Sequence, residues 1–304
     1  MKPSARSFAD VLSRRSSVTD LADAPTLHIV DQLIAERGRK VMSTPWWPLV
    51  RPLANYVLRY HDAVAMADRI APMSAEDAFT YLSELLRLKV VARNADRLPE
   101  TGKVVIVSNH PTGIADGVAL FDAVKPRRRD LSIFANRDAI RINPRFADMI
   151  VPVEWRDDFK SREKTRETLR LSSRAFATER AVALFPSGRL AYWHEGRLTE
   201  RPWMTSALAL ARKYDAPIVP IHMGGRNSGL FYFLARVSTE LRDMTVFNEL
   251  LNKRNATFTV NFGKPIAPET LDGDLAELTS ALRVHCAETL AKDPDAVFTP
   301  PPSV

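Results

Sequence analysis

Apolar and polar positions change their rhythm near residue 100. Beyond it, short apolar runs at 104–107, 131–134, 150–153, 181–185, 218–221 and 257–262 predict six strands. Between and after them, segments near 114–124, 158–179, 203–214, 230–252 and 270–291 carry helical spacing. Strand and helix in alternation predict an α/β fold with a central, largely parallel sheet flanked by helices. Before it, residues 28–91 read as helical. There Phe79, Leu82, Leu85 and Leu86 follow Ser74, with Asp77 where a capping box places glutamate. The chain therefore divides into a flexible arm (1–25), an N-terminal helical segment (26–91), an α/β domain (92–295) and a tail (296–304). No internal repeat is visible.

In open α/β sheets, ligands bind beyond the carboxyl ends of the strands. The first run empties into Asn109-His110-Pro111-Thr112-Gly113, with Asp116 soon after. A histidine titrates near neutral pH and works as a base when a carboxylate orients its ring. The alternative reading makes His110 a loop residue and Asp116 a helix-start residue. Two other runs also end in chemistry: Phe185-Pro186-Ser187-Gly188-Arg189 and Pro220-Ile221-His222-Met223-Gly224-Gly225-Arg226-Asn227-Ser228.

Composition narrows the partners. With 43 basic and 36 acidic residues the net charge is +7, which suits nucleic acid, an anionic membrane, an acidic carrier protein or a phosphorylated small molecule. The single cysteine, Cys286, rules out an internal disulfide or Cys-rich zinc site and reads as a core residue. No apolar run reaches the roughly 20 residues of a membrane span, and residues 1–20 lack the apolar core of a secretory signal. Arg37, Arg39 and Lys40 stand close to Trp46, Trp47, Tyr56 and Tyr60. That mixture fits a helix lying at a lipid headgroup layer, or a cap with buried tryptophans.

His194-Glu195 lacks the second histidine of a zincin motif, Ser187 lacks the setting of a hydrolase elbow, and no Walker A or dinucleotide loop is present. The scattered basic residues match no nucleic-acid-binding motif.

Taken together, the His110/Asp116 block, the Phe185–Arg189 block and the 218–221 strand resemble, in order and spacing, the lysophospholipid acyltransferase superfamily, the PlsC-like or glycerol-3-phosphate acyltransferase group. The resemblance covers roughly residues 80–265. Two departures stand out. Five residues separate His110 from Asp116 where the common pattern has four, a form similar to the hemolysin-like branch that includes ornithine-lipid acyltransferases. The segments 225–228 and 230–234 resemble that branch too. Ser187 replaces the glutamate of the third block, which weakens the case for a glycerol-phosphate acceptor.

The resemblance implies direct acyl transfer to a hydroxyl or amine, with His110 as base and Asp116 orienting it. Acyl-ACP or acyl-CoA would be cosubstrate, with no other cofactor and no metal. Asn109, Ser187, Gly188, Arg189, Arg156 and Arg137 would contact the acceptor, the arginines through phosphate or carboxylate. It further implies a lyso-lipid acceptor, a membrane surface as partner, no nucleic acid, and a peripheral location on the inner face of the cytoplasmic membrane. Lys125–Arg129 is either a docking patch for an acidic partner or a solvated loop. The alternative to an enzyme is a non-catalytic lipid- or membrane-binding protein that retains the fold.

Overall fold

The structure is a computed structural model that describes residues 27–154, 156 and 159–301. The expected flexible arm (1–25) lies wholly outside the described residues, as does the end of the tail.

Five helices come first: α1 (Ile29–Arg37), α2 (Arg39–Met42), α3 (Trp47–Val57), α4 (Tyr60–Ile70) and α5 (Ala75–Leu86). The Ser74 hydroxyl accepts from the Asp77 backbone, so it caps α5 as the sequence suggests. Phe79, Leu82 and Leu86 then bury one face of that helix. Arg87 takes a left-handed conformation (φ 48°) and stops it.

Here the helical expectation for 28–91 runs too far. Strand β1 (Lys89–Arg93) follows at once. Only Val90 of its five residues is even partly buried, so it has no hydrophobic alternation for sequence reading to find. Pairing with a strand some 170 residues later, Lys89 opposite Thr257, makes it a strand.

Strand β2 (Val104–Ser108) is buried at every position. The chain continues through α6 (Ile114–Val124), β3 (Leu131–Asn136), the short α7 (Asp138–Ile142), β4 (Ile150–Val153), α8 (Arg162–Ala177) and β5 (Ala181–Leu184). A hairpin of β6 (Tyr192–His194) and β7 (Arg197–Thr199) turns through Glu195 and Gly196, both at positive φ. Next come α9 (Ser206–Tyr214), β8 (Ile218–Met223), α10 (Gly229–Val237), α11 (Thr239–Met244), α12 (Val246–Leu251), β9 (Thr257–Phe262) and α13 (Leu275–Val284). The 230–252 segment is thus three helices rather than one. Ser228 and Ser238 cap the first two, because their hydroxyls accept the free N–H groups of Phe231 and Leu241.

The sheet order is β1-β9-β8-β2-β5-β3-β4. Every neighbouring pair is parallel except β8 and β9. The fold is therefore α/β with a largely parallel sheet, as the alternation predicts.

Side chains of a strand alternate between faces. Val104 and Ile106 join the core under α1, α4, α5, α6 and α12. Val105 and Val107 join the opposite core under α8, α9 and α13. Cys286 sits in this second core, its thiol toward the Val107 carbonyl at 3.7 Å. Burial pushes that thiol well above its ordinary pKa.

Candidate active site

The site grows from the end of β2. Asn109 comes first: Nδ2 donates to the Met223 carbonyl (2.8 Å) and Oδ1 accepts from the Met223 N–H (2.7 Å). It locks the end of β2 to the end of β8.

His110 is next, held through its backbone on two sides. Its N–H donates to Glu200 Oε2 (3.2 Å), and its carbonyl accepts from the Ala191 N–H (3.0 Å). The imidazole stacks on Phe185, centroids 4.3 Å apart, and Nδ1 lies 2.8 Å from Asp116 Oδ2. The tight turn of Pro111, Thr112 and Gly113 brings Asp116 back to the ring, although it belongs to the first turn of α6. Gly113 has φ 96° and packs against Leu190, so a β-carbon there would be strained.

Asp116 is completely buried. The Thr112 N–H (2.9 Å), the Gly113 N–H (3.0 Å) and the Thr112 hydroxyl all donate to it. A buried carboxylate with several donors and an imidazole edge is a stable acceptor for an Nδ1–H. With the proton on Nδ1, Nε2 is the ring nitrogen left to accept one, on a side chain that is 18% exposed. The pair can work as a general base with its orienting carboxylate.

The third block forms the wall beside this ring. Gly188 (φ 57°) closes a turn by donating to the Phe185 carbonyl at 3.0 Å. The Ser187 hydroxyl is buried and donates to the Arg189 carbonyl (2.6 Å), so it shapes the turn. Arg189 itself is exposed and forms no ion pair among the described residues. It stands near Arg201, whose guanidinium lies 4.3 Å above the Tyr192 ring. Burial, then the charges of Arg242 and Arg189, push Arg201 below its ordinary pKa.

Glu200 escapes the sequence reading. Its carboxylate is 6% exposed, accepts from His110 N–H and Trp203 Nε1 (3.2 Å), and lies beside the Ser187 hydroxyl. Burial pushes its pKa up, opposed by those donors. A carboxylate thus returns to the third block from beyond the hairpin. No local motif marks it.

Two arginines proposed for the acceptor lie elsewhere. Arg156 and Arg137 sit at the β3–β4 edge of the sheet. Arg156 contacts Glu36 (2.6 Å), Glu154 (3.0 Å) and Asp138 (3.4 Å), and Arg141 shares Glu36 at 2.8 Å. Burial alone would raise Glu36, but hydrogen bonds from Arg141 and Arg156 bring it down to about 2. Arg156 is therefore a tie between α1 and β4, its fork already filled by carboxylates. Arg137 pairs with Glu167 of α8 at 2.6 Å, while its buried Nε and Nη2 have no hydrogen-bond partner among the described residues. Neither guanidinium joins His110.

A recess of about 430 Å³ borders the catalytic turn, lined by Trp193, Leu198, Gly225, Arg226, Lys253 and Phe258 among others. Gly225 is needed there for close approach, since a β-carbon would lie 3.1 Å from Thr112 Cγ2. Ser228 anchors the segment: its N–H and hydroxyl donate to buried Glu249 at 2.8 and 2.5 Å. Arg226 is exposed, with no ion-pair partner among the described residues.

A family model described as acyltransferase matches residues 89–224, from β1 to the loop after β8. A lyso-glycine lipid O-acyltransferase of Bacteroides thetaiotaomicron is 31% identical over 196 residues, 62% of this chain and 70% of that protein. The chain belongs to the acyltransferase family. A second lyso-glycine lipid O-acyltransferase, of Phocaeicola vulgatus, is 29% identical over 195 residues, 62% of this chain and 68% of its own. Among solved structures, the 1-acyl-sn-glycerophosphate acyltransferase PlsC of Thermotoga maritima aligns over 86% of this chain and 98% of that one. Its identity is 14% and its TM-score 0.46, a likeness too loose to carry a conclusion. Membership makes this acyltransferase an enzyme of acyl transfer, and the His110–Asp116 contact favours that over a non-catalytic lipid binder.

Proposed function

We propose that this acyltransferase moves a fatty acyl chain from a carrier thioester to the hydroxyl of a lyso-lipid with an amino-acid headgroup, of the lyso-glycine lipid kind. The observation that carries it is the 2.8 Å Asp116–His110 contact on a partly exposed imidazole. His110 takes the proton from the acceptor hydroxyl as its oxygen attacks the thioester carbonyl. The carbon–sulfur bond then breaks, and the same proton passes to the departing thiolate. No acyl-enzyme is needed, which agrees with Cys286 lying in the core.

The acceptor class rests on the two relatives and on charge. Arg156 is committed to carboxylates, whereas Arg189 and Arg226 remain open beside the catalytic turn. A guanidinium fork suits a headgroup carboxylate. The test is transfer by the purified enzyme to lyso-glycine lipid, lyso-ornithine lipid and lysophosphatidic acid in mixed micelles. An amino-acid lipid should give the highest kcat/KM, by about tenfold, or about 1.4 kcal/mol of discrimination. Preference for lysophosphatidic acid would reject the assignment.

The reading includes peripheral binding to a membrane, on its cytoplasmic face. No described helix is long and apolar enough to cross one. Trp46, Leu49, Leu53 and Tyr56 instead project from α3 at 65–83% exposure. Such a face inserts at the headgroup boundary. Phe233 and Val237 expose a second apolar band on α10. Glu240, accepting from the Lys40 and Val41 N–H groups, ties the following helix to α2. Replacing Trp46, Leu53 and Tyr56 together by serine should cut binding to anionic vesicles by about tenfold or more with the fold intact. Unchanged co-sedimentation would remove α3 from the membrane contact.

A further inference from the structure

Glu200 is a buried carboxylate that the acyl-transfer steps above do not use. It follows β7 directly, at the foot of the β6–β7 hairpin. In that ladder Tyr192 stands opposite Thr199 and Trp193 opposite Leu198. The next residue outward on each side is Ala191 and Glu200. These two hold the His110 peptide from both sides: the carboxylate accepts its N–H at 3.2 Å, and the Ala191 N–H donates to its carbonyl at 3.0 Å. The foot of the hairpin is therefore a clasp on the backbone of the histidine. A further bond, from the Met204 N–H to the Pro186 carbonyl at 3.0 Å, fastens the returning chain to the Phe185–Arg189 turn.

The clasp sits where the sheet no longer supports the chain. Strand β2 ends at Ser108, so the His110 N–H has a side chain rather than a neighbouring strand as its acceptor. Three contacts then fix the imidazole. Asp116 sets its rotation, Phe185 the plane it lies on, and the clasp the position of its backbone.

A carboxylate fits this place because two donors meet two oxygens. The His110 N–H reaches Oε2 and Trp203 Nε1 reaches Oε1, each at 3.2 Å. An amide has one acceptor oxygen and cannot serve both. The charge is costly, since Glu200 is buried and forms no ion pair among the described residues. An apolar side chain would pack the foot of the hairpin without that cost, but it would leave the His110 N–H without an acceptor.

We propose that Glu200 is a positioning residue for acyl transfer: through the His110 N–H it sets where the imidazole stands over Phe185, and so how the base meets the acceptor hydroxyl. The proposal rests on the reading of His110 as the base.

A catalytic group displaced by about 1 Å can lose roughly a hundredfold in rate. Glu200→Leu removes both acceptor oxygens and should lower kcat about a hundredfold, with KM for the acceptor within about threefold of native. Glu200→Gln leaves one oxygen contested by two donors and should lose about tenfold. Adding Trp203→Phe to Glu200→Gln removes the competing donor, so kcat should return to within about threefold of native. The melting temperature should not rise at that step, because losing the indole adds no contact. Activity that returns while stability does not separates positioning from packing. A Glu200→Leu enzyme with kcat within about threefold of native, or a loss carried by KM, overturns the proposal. So does a double variant no more active than Glu200→Gln.

His110→Ala, assayed beside these, separates the two readings. If it is inactive while Glu200→Leu turns over like the native enzyme, the proposal fails alone. If it keeps native turnover, the base reading fails and the proposal with it. Spectra of histidine-labelled protein need no turnover. The His110 amide, assigned by its absence from His110→Ala, should move upfield in Glu200→Leu as its N–H loses a charged acceptor. An unmoved amide overturns the proposal.

Discussion

Replacing His110 by alanine should lower kcat by about a thousandfold or more while binding of the acceptor stays near native. The size follows from what surrounds the ring. Asp116 is fully buried and takes three hydrogen bonds from the turn, so it cannot reach out as a substitute base. Glu200 meets the His110 backbone and Trp203. The fold should tolerate the change, because the ring is partly exposed and its packing partner is chiefly Phe185. The check is steady-state kinetics beside a melting curve. Turnover within about tenfold of native would remove His110 from the chemistry.

Replacing Asp116 by asparagine should damage both activity and stability, which separates it from the first variant. A carboxamide has one acceptor oxygen and an NH2 group. The NH2 would point at either the His110 Nδ1–H or the Thr112 and Gly113 N–H donors. If it faces His110, the favoured tautomer moves the proton to Nε2 and the base is lost, a loss of about 10³–10⁴ in kcat. If it faces the turn, buried donors lose their acceptor, at about 1–3 kcal/mol. Calorimetry and kinetics on the same preparation measure the two. A variant with native kcat would show that the contact orients nothing.

Much of the fold was legible because it rests on local signals. Val104–Ser108 is apolar at every position since helices cover both faces of the sheet, and such a run reads as a buried strand in any context. Ser74 before Asp77 announced a helix start. Strand β1 was not legible: Lys89 to Arg93 is mostly exposed, and only its pairing with β9 makes it a strand. The 230–252 segment read as one helix because its apolar residues keep helical spacing across two serine caps.

The candidate site divides the same way. His110 and Asp116 belong to one turn, six positions apart, so their meeting depends on local backbone geometry that Pro111 and Gly113 foreshadow. Residue types at strand ends were therefore enough to nominate them. Charge pairing at longer range was not legible. Arg156 looked like an anion receptor and is filled by Glu36, 120 positions away. Of the Lys125–Arg129 run, Arg127 and Arg128 are paired with Glu100 and Asp130, whereas Arg129 stays exposed.

The sequence by itself determined the α/β alternation, the turn that joins base to carboxylate, and the family, since each depends on residues near one another in the chain. Only the tertiary structure decided which charges are neutralised inside the protein and which face outward, and that Glu200 returns a carboxylate beside Ser187. The reason is physical. An ion pair forms wherever folding brings opposite charges within a few ångströms, and separation along the chain does not report that distance.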